Sequence, residues 1–318
     1  MKVVSLQHGR GIWGGEDGSF VLDFIRTLRI PLVVTLHDVP SNPSPAQRSI
    51  MTELVDTAGA TIVMSHAAVA EMARSYGIKA DRLDVVRGGV PHLPQVAADT
   101  IKPRLGLQGR AVILSFGLLG PAKSCETVID AMPAVVEAVP SALYVILGAT
   151  EPGLLARDGD VYRAGLEAQV AARDLGQSVR FVDRFVGRVE LGNWLEAADV
   201  IATPYPDLDR TVAATLSFAM AAGKPIVSTP YAYALEMLSP DRGRIVSPAS
   251  PENLAGSFIE LLGDPELRAS MGRRAYEHSR EMVWWEIGSQ YRRIFARATA
   301  AAASRPWTGA RKFAAVVA

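Results

Sequence analysis

The chain has 318 residues, enough for one large domain or two ordinary ones, with 49% hydrophobic and 21% charged residues, the mixture of a globular protein. Lys plus Arg number 33 and Asp plus Glu number 33. The resulting net charge of zero argues against a protein built to coat nucleic acid or an acidic membrane face, since either needs a large basic excess, but not against one local basic site. The single cysteine, Cys125, excludes an intrachain disulfide and a cysteine-built zinc site, and suits a reducing cytoplasm. No apolar run approaches the ~18 residues of a membrane span. The opening Met1-Lys2-Val3-Val4-Ser5-Leu6 is too short and too soon interrupted to read as a signal peptide.

Short apolar runs alternate with stretches of helical spacing. Residues 3–6, 32–36, 61–64 and 83–86 read as strands, Val/Ile/Leu-rich and continuous, as in a parallel sheet covered on both faces. Residues 18–28, 45–57 and 67–76 read as the helices between them. Residues 88–104 carry Gly88, Gly89, Pro91, Pro94 and Pro103 and read as an interdomain linker. The pattern then restarts, with strands expected at 111–116, 142–147, 178–182, 200–204, 225–229 and 244–246. Helices are expected at 127–137, 161–175, 190–197, 211–222, 251–262 and 265–280. The order is βαβα throughout, which favours an α/β architecture with about four strands in the first unit and six in the second. A last helix at 282–299 places Trp284, Ile287, Tyr291, Ile294 and Phe295 on one face, a core-facing stripe. Arg292, Arg293, Arg297, Arg305, Arg311 and Lys312 keep a membrane-surface role as the alternative.

Three histidines fall just after expected strands: His8, His37 and His66. In open parallel sheets that edge binds ligands, and histidine near neutral pH donates a hydrogen bond, moves a proton or binds metal. No acidic partner recurs at ligand spacing, so they do not read as a metal triad. After His8 the loop Gly9-Arg10-Gly11-Ile12-Trp13-Gly14-Gly15 concentrates four glycines. Two readings stand: a tight loop needing positive φ, or backbone N–H groups brought close to an anion. In the second unit, Ser115-Phe116-Gly117-Leu118-Leu119-Gly120-Pro121-Ala122-Lys123 runs from strand to glycine loop to helix-start lysine, which suits a diphosphate, or is a solvated lysine. Thr203-Pro204-Tyr205-Pro206-Asp207 leads to a polar helix start, an apolar helix, the Gly223 cap and a buried strand, with Glu236 soon after.

These pieces together resemble the retaining GT-B glycosyltransferases, the "glycosyl transferases group 1" type. The match runs through Gly-Leu-Leu-x-Pro-x-Lys at 117–123, Leu-Gly-Ala-Thr at 147–150, Ala198-Asp199-Val200 before Thr203-Pro204-Tyr205, and Ala219-Met220-Ala221-Ala222-Gly223-Lys224-Pro225-Ile226-Val227. His8 with Gly11-Ile12-Trp13-Gly14-Gly15, and Thr35-Leu36-His37, add the first unit, so the likeness covers about residues 1–290. It implies two Rossmann-like domains, the first incomplete: 1–104 as a partial acceptor-side domain with linker, 105–281 as the nucleotide-sugar donor domain, and 282–318 as a C-terminal helix and tail.

The resemblance implies transfer of a sugar from a nucleotide-diphosphate sugar to an unknown acceptor (a glycan, a lipid-linked or a small molecule), with retention and with neither metal nor cofactor. It implies that Lys123, Gly117 and the backbone at Ala213, Ala214 and Thr215 hold the diphosphate, that Arg184 and Phe185 meet the base, and that catalytic His8 lies near the transferred sugar. Gly14, Gly15, His37, Arg210 and Glu236 fall on the donor-sugar or acceptor side. Leu118 stands where the family has Arg, Arg210 and Phe218 stand where it has paired glutamates, and Gly88-Gly89 replaces His-Gly at the junction. A subgroup with the Gly-Ile-x-Gly-Gly loop also lacks the glutamates. The competing reading is a GT-B-like nucleotide- or protein-binding module without transfer activity; a dinucleotide oxidoreductase is disfavoured because no Gly-x-Gly-x-x-Gly follows a strand. Met1 opens almost at a middle strand of the family pattern, which points to a shortened first domain. An uncovered sheet edge would then favour self-association. A cytoplasmic place, free or at the inner membrane face, completes the expectation, with no nucleic-acid partner.

Overall fold

The computed structural model describes residues 2–9, 11–93, 96–238, 241–248 and 250–303. Arg10, Pro94, Arg305, Arg311 and Lys312 of the sequence reading lie outside the described residues. The chain forms two compact units, one from the described residues up to 86 together with 288–303, the other from 87–287.

The first unit runs β1 (Val4–His8), α1 (Phe20–Thr27), β2 (Leu32–Leu36), α2 (Pro45–Thr57), β3 (Ala60–Val63), α3 (His66–Tyr76) and β4 (Leu83–Val85). Its four strands are all parallel in the order β1-β2-β3-β4. β2 and β3 are buried along their whole length, as continuous apolar runs require. α2 starts at a capping box, in which Gln47 N–H donates to Ser44 Oγ at 3.0 Å and Ser44 N–H donates to Gln47 Oε1 at 3.1 Å. α3 is capped by Ser65 and ends at Gly77 in the left-handed region.

The second unit runs α4 (Ala98–Ile101), β5 (Ala111–Phe116), α5 (Cys125–Ala138), β6 (Ala142–Leu147), α6 (Pro152–Asp158), α7 (Val161–Ala172), β7 (Val179–Val182), α8 (Arg188–Ala197), β8 (Val200–Thr203), α9 (Ala214–Ala221), β9 (Ile226–Ser228), α10 (Ala232–Leu238), β10 (Gly243–Ile245), α11 (Pro251–Gly263) and α12 (Pro265–Ser279), followed by α13 (Trp284–Ala303). Its six strands are parallel in the order β10-β9-β8-β5-β6-β7. β5 is buried, with Val112, Leu114 and Phe116 in one apolar core and Ile113 in the other. The winding reverses between β5 and β8, and such a switch point opens a crevice outside the carboxyl ends of the strands. Here it brings the loops after β5 and β8 together.

The strand counts of four and six agree with the sequence reading. Several particulars differ. Residues 87–104, expected to belong to the first domain, pack with the second unit. The reason is an ion pair: Lys102 Nζ lies 2.8 Å from Asp199 Oδ2, which also accepts from Val112 N–H at 2.7 Å, and both side chains are largely buried. From residue 288 onward α13 belongs to the first unit rather than to a separate tail. There Tyr291 Oη bonds Thr35 Oγ1 at 3.0 Å and Arg297 pairs with Asp84. Ile287, Ile294 and Ala298 are the buried stripe of α13, whereas Trp284 is 44% exposed, with Arg188 over its ring. α4, α6 and α10 were not foreseen, being too short to show a period.

Asp199→Ala should destabilise the second unit by about 3–5 kcal/mol, because it strands a buried ammonium, while Lys102→Met with Asp199→Leu should cost much less. Denaturant melts of the single and double variants check this.

Candidate active site

At the β5/β8 switch point a cavity of about 290 Å³ is lined by Leu118, Lys123, Glu151, Arg157, Tyr205 and Arg210, among others. Gly117, at φ 105, turns the chain sharply off β5. A Cβ at Gly117 would come 3.2 Å from Lys123 Nζ, and one at Gly148 would collide with the Gly117 carbonyl. Glycine at both positions lets the loops after β5 and β6 cross at van der Waals distance. Lys123 Nζ donates to Tyr205 Oη at 2.9 Å, and Tyr205 Oη bonds Thr215 Oγ1 at 2.5 Å. The Arg210 guanidinium lies 5.0 Å from the centroid of the same tyrosine ring, and its Nε is buried with no hydrogen-bond partner. Two cations thus converge on one aromatic side chain. Among the described residues neither has a carboxylate partner.

The other charges here are engaged. Glu151 accepts from the N–H groups of Gly153 and Leu154 at 2.9 and 2.6 Å, which holds its carboxyl below the usual range. Arg157 pairs with Asp158 at 2.8 Å. Thr215 stands in the first turn of α9, whose N-cap residue is Ala213, and no side chain caps that end. The first N–H groups of α9, at Ala214 and Thr215, are the positive end of the helix. An anion with two phosphates fits cations and helix start together.

In the first unit β1 runs to His8, so this histidine ends the strand instead of following it. A cavity of about 250 Å³ is lined by His8, Trp13, Gly15, Asp17 and Asp38, among others. His8 is only 9% exposed, and its Nδ1 has no hydrogen-bond partner. Burial pushes its pKa down, Asp38 opposes that, and His37 adds to it, so the ring is neutral near pH 7. His37 N–H donates to the His8 carbonyl at 2.7 Å, its Nε2 meets Gln7 Oε1 at 2.7 Å, and burial lowers its pKa too. His66 opens α3 and does not line this cavity. Asp17 has φ 52 in the left-handed region and accepts from Ser44 Oγ at 2.6 Å and Gln47 Nε2 at 2.9 Å. Gly15, at φ 82, and Gly14 are both closed over by Phe20, on which a Cβ at either would press. The tight-turn reading therefore describes the backbone of this loop.

The remaining candidates are spread out. Arg184 pairs with Glu190, and Phe185 beside it is 82% exposed. Glu236, on α10, faces Arg87 at 3.9 Å and is not among the residues lining the β5/β8 cavity. Tyr205, Arg157, Trp13, Asp17 and Asp38 were not singled out from sequence. Tyr205 could have been, because an aromatic with a hydroxyl directly after a buried strand sits where such sheets bind ligands.

Residues 98–278 match the family described as Glycosyl transferases group 1, and residues 14–92 match Glycosyltransferase Family 4. The chain is 27% identical over 315 residues to a D-inositol 3-phosphate glycosyltransferase of Corynebacterium efficiens, across 93% of this chain and 72% of that protein. It is 30% identical over 209 residues to a GDP-mannose-dependent monoacylated alpha-(1-6)-phosphatidylinositol monomannoside mannosyltransferase of Corynebacterium glutamicum, across 64% of this chain and 51% of that protein. Among solved structures, Anabaena HepE in complex with UDP matches with a TM-score of 0.73 at 21% identity, over 87% of this chain and 75% of that one. Sucrose-phosphate synthase from Thermosynechococcus elongatus matches with a TM-score of 0.76 at 20% identity, over 92% and 74%. Those structures share the GT-B fold. With the family pattern matched over more than half its length and two parallel-sheet α/β units carrying it, this chain belongs to the glycosyl transferases group 1 family and is a glycosyltransferase.

Proposed function

We propose that this enzyme moves a sugar from a nucleoside-diphosphate sugar, held by the second unit, to a hydroxyl of an acceptor held by the first, with retention at the anomeric carbon and without a divalent metal. The observation that carries the reading is the convergence of Lys123 and Arg210 on Tyr205 beside the uncapped start of α9. In the reaction the bond from the anomeric carbon to the distal phosphate oxygen breaks. The acceptor oxygen joins that carbon on the same face, and its proton passes to the departing diphosphate. Negative charge grows on the leaving group, and cations already in place stabilise it without reorganising.

In this reading the backbone at Gly117, Ala213, Ala214 and Thr215 and the Lys123 ammonium grip the diphosphate, and the exposed Phe185 ring, with Arg184, meets the base. Arg210 supplies a cation at one of the two positions where the family carries glutamate. His8 hydrogen-bonds the sugar through Nδ1, and His37 with the Gly14–Gly15 loop shapes the acceptor side. HepE structures hold UDP or UDP-glucose, and the corynebacterial mannosyltransferase is named for GDP-mannose, so uridine and guanosine are the bases to try. Work in the cytoplasm, free or at the inner membrane face, belongs to the same proposal; among the described residues no helix is long and apolar enough to cross a membrane.

Lys123→Ala is expected to weaken UDP or GDP binding by about 1.5–3 kcal/mol, the scale of a charge-assisted hydrogen bond. Calorimetric titration measures this, and an unchanged affinity removes Lys123 from the role. His8→Ala should lower kcat more than donor affinity; equal losses would make it a binding residue only. Burial also makes a pH signature. The folded-state pKa of His8 lies below the ordinary 6.5, so the unfolded chain takes up a proton first as pH falls. Stability should therefore be full above about pH 6.5 and decline below it, by up to ~1.4 kcal/mol per pH unit for one histidine. His37 and His278 add in the same direction. His8→Gln should flatten the slope in thermal melts between pH 5 and pH 6.5.

A further inference from the structure

We propose that the Asp183 carboxylate reads the base of the donor, that the base is guanine, and that Arg163 is the positioning residue behind it. The inference rests on the donor reading above and narrows it to one nucleoside. Asp183 directly follows β7, beside Arg184 and the exposed Phe185. Its Oδ1 lies 2.5 Å from Nη2 of Arg163, on α7. Arg163 is only 5% exposed, and the same Nη2 donates to Thr150 Oγ1 at 2.9 Å. Arg163 Nε lies 3.0 Å from Asp160 Oδ2, and Thr150 Oγ1 donates to Asp160 Oδ1 at 2.6 Å. Asp160 alone neutralises the guanidinium. Asp183 is a second carboxylate on one buried cation, so Arg163, Asp160 and Asp183 together keep one net negative charge. The half-exposed Asp183 side chain is thus anchored from the protein side. A carboxylate has about four acceptor positions, and the bond to Arg163 occupies one of them.

The same network ties Asp183 to the diphosphate cavity. Thr150 is followed by Glu151, which lines that cavity, and Leu119 N–H, from the loop after β5, donates to the Ala149 carbonyl at 2.8 Å. The loop after β6 is therefore a wall of the cavity and, through Thr150, an anchor of Arg163. β5, β6 and β7 are successive neighbours in the sheet, so the end of β7 lies about 10 Å from the end of β5, two strand spacings away. A ribose and a base bridge such a span from a diphosphate at Gly117. Phe185 and Val189, both largely exposed, offer apolar surface to the face of a base. The edge decides which base. Guanine presents two adjacent donors, N1–H and N2–H, and a carboxylate accepts both at once. Uracil presents one donor, N3–H, between two carbonyl oxygens that a carboxylate repels. Adenine sets its amino donor beside an acceptor nitrogen.

The test titrates the full chain calorimetrically with GDP, UDP and IDP, whose hypoxanthine base keeps N1–H but lacks the 2-amino group. GDP should bind at least about tenfold more tightly than UDP, the scale of one bidentate contact to a base edge, with IDP between them. Asp183→Asn turns one acceptor into a donor on a half-exposed side chain; it should weaken GDP about tenfold and leave UDP within about twofold. Arg163→Gln should narrow the GDP to UDP ratio in the same sense, a change that a loss of stability alone would not produce. UDP binding as tightly as GDP overturns the proposal. So does IDP matching GDP, or a ratio that Asp183→Asn leaves unmoved. In each of those cases diphosphate binding persists and the donor reading survives. If none of the three nucleotides binds, the donor reading falls and this proposal falls with it.

Discussion

The second unit is organised around the hydroxyl and ring of Tyr205. Its hydroxyl joins Lys123, from the loop after β5, to Thr215 in the first turn of α9, and its ring lies under the Arg210 guanidinium. Two cations held this close repel each other, and an aromatic face relieves part of that cost through its negative quadrupole. A doubly charged diphosphate would relieve the rest. The tyrosine is itself immobilised: it stacks on Tyr231 at 5.3 Å, and its carbonyl accepts from Thr229 Oγ1 at 2.5 Å. Two loops that are distant in sequence, those after β5 and β8, therefore hold fixed positive charge at one point, the preorganisation on which electrostatic stabilisation depends.

Both units use the carboxyl ends of parallel strands, but in different ways. In the second, the reversal of winding between β5 and β8 opens the crevice. The first sheet winds in one direction, and its cavity is walled by the glycine loop after β1, pinned to α2 through Asp17, Ser44 and Gln47. The chemistry differs accordingly. One cavity is cationic with an apolar side at Leu118 and Leu154, and the other pairs carboxylates with unpartnered nitrogen atoms. In the proposed reading the former cavity holds the charged leaving group and the latter the acceptor.

Most of the fold was legible because buried parallel strands leave continuous apolar runs, and the ten strands among the described residues fall where such runs predict them, within a few residues. Short helices escaped: α6 and α10, at seven residues each, span only two turns and carry no period. The division at 104 was misplaced because proline and glycine mark a break in local conformation. They say nothing of which side the segment packs on, and the buried Lys102–Asp199 pair decides that across 97 positions of sequence. Trp284 was placed in the core stripe by its spacing, yet it is left half in solvent against Arg188.

Sequence alone determined the class of the chain: a repeated βαβ pattern, a helix-start lysine after a glycine loop, and histidines at strand ends. These are local signals, set by backbone sterics and by which residues tolerate burial. Tertiary structure decided which of them work together. Tyr205 meets Lys123 across 82 positions, and Asp17 meets Gln47 across 30. Parallel strand order puts their loops side by side, and no local pattern encodes that adjacency.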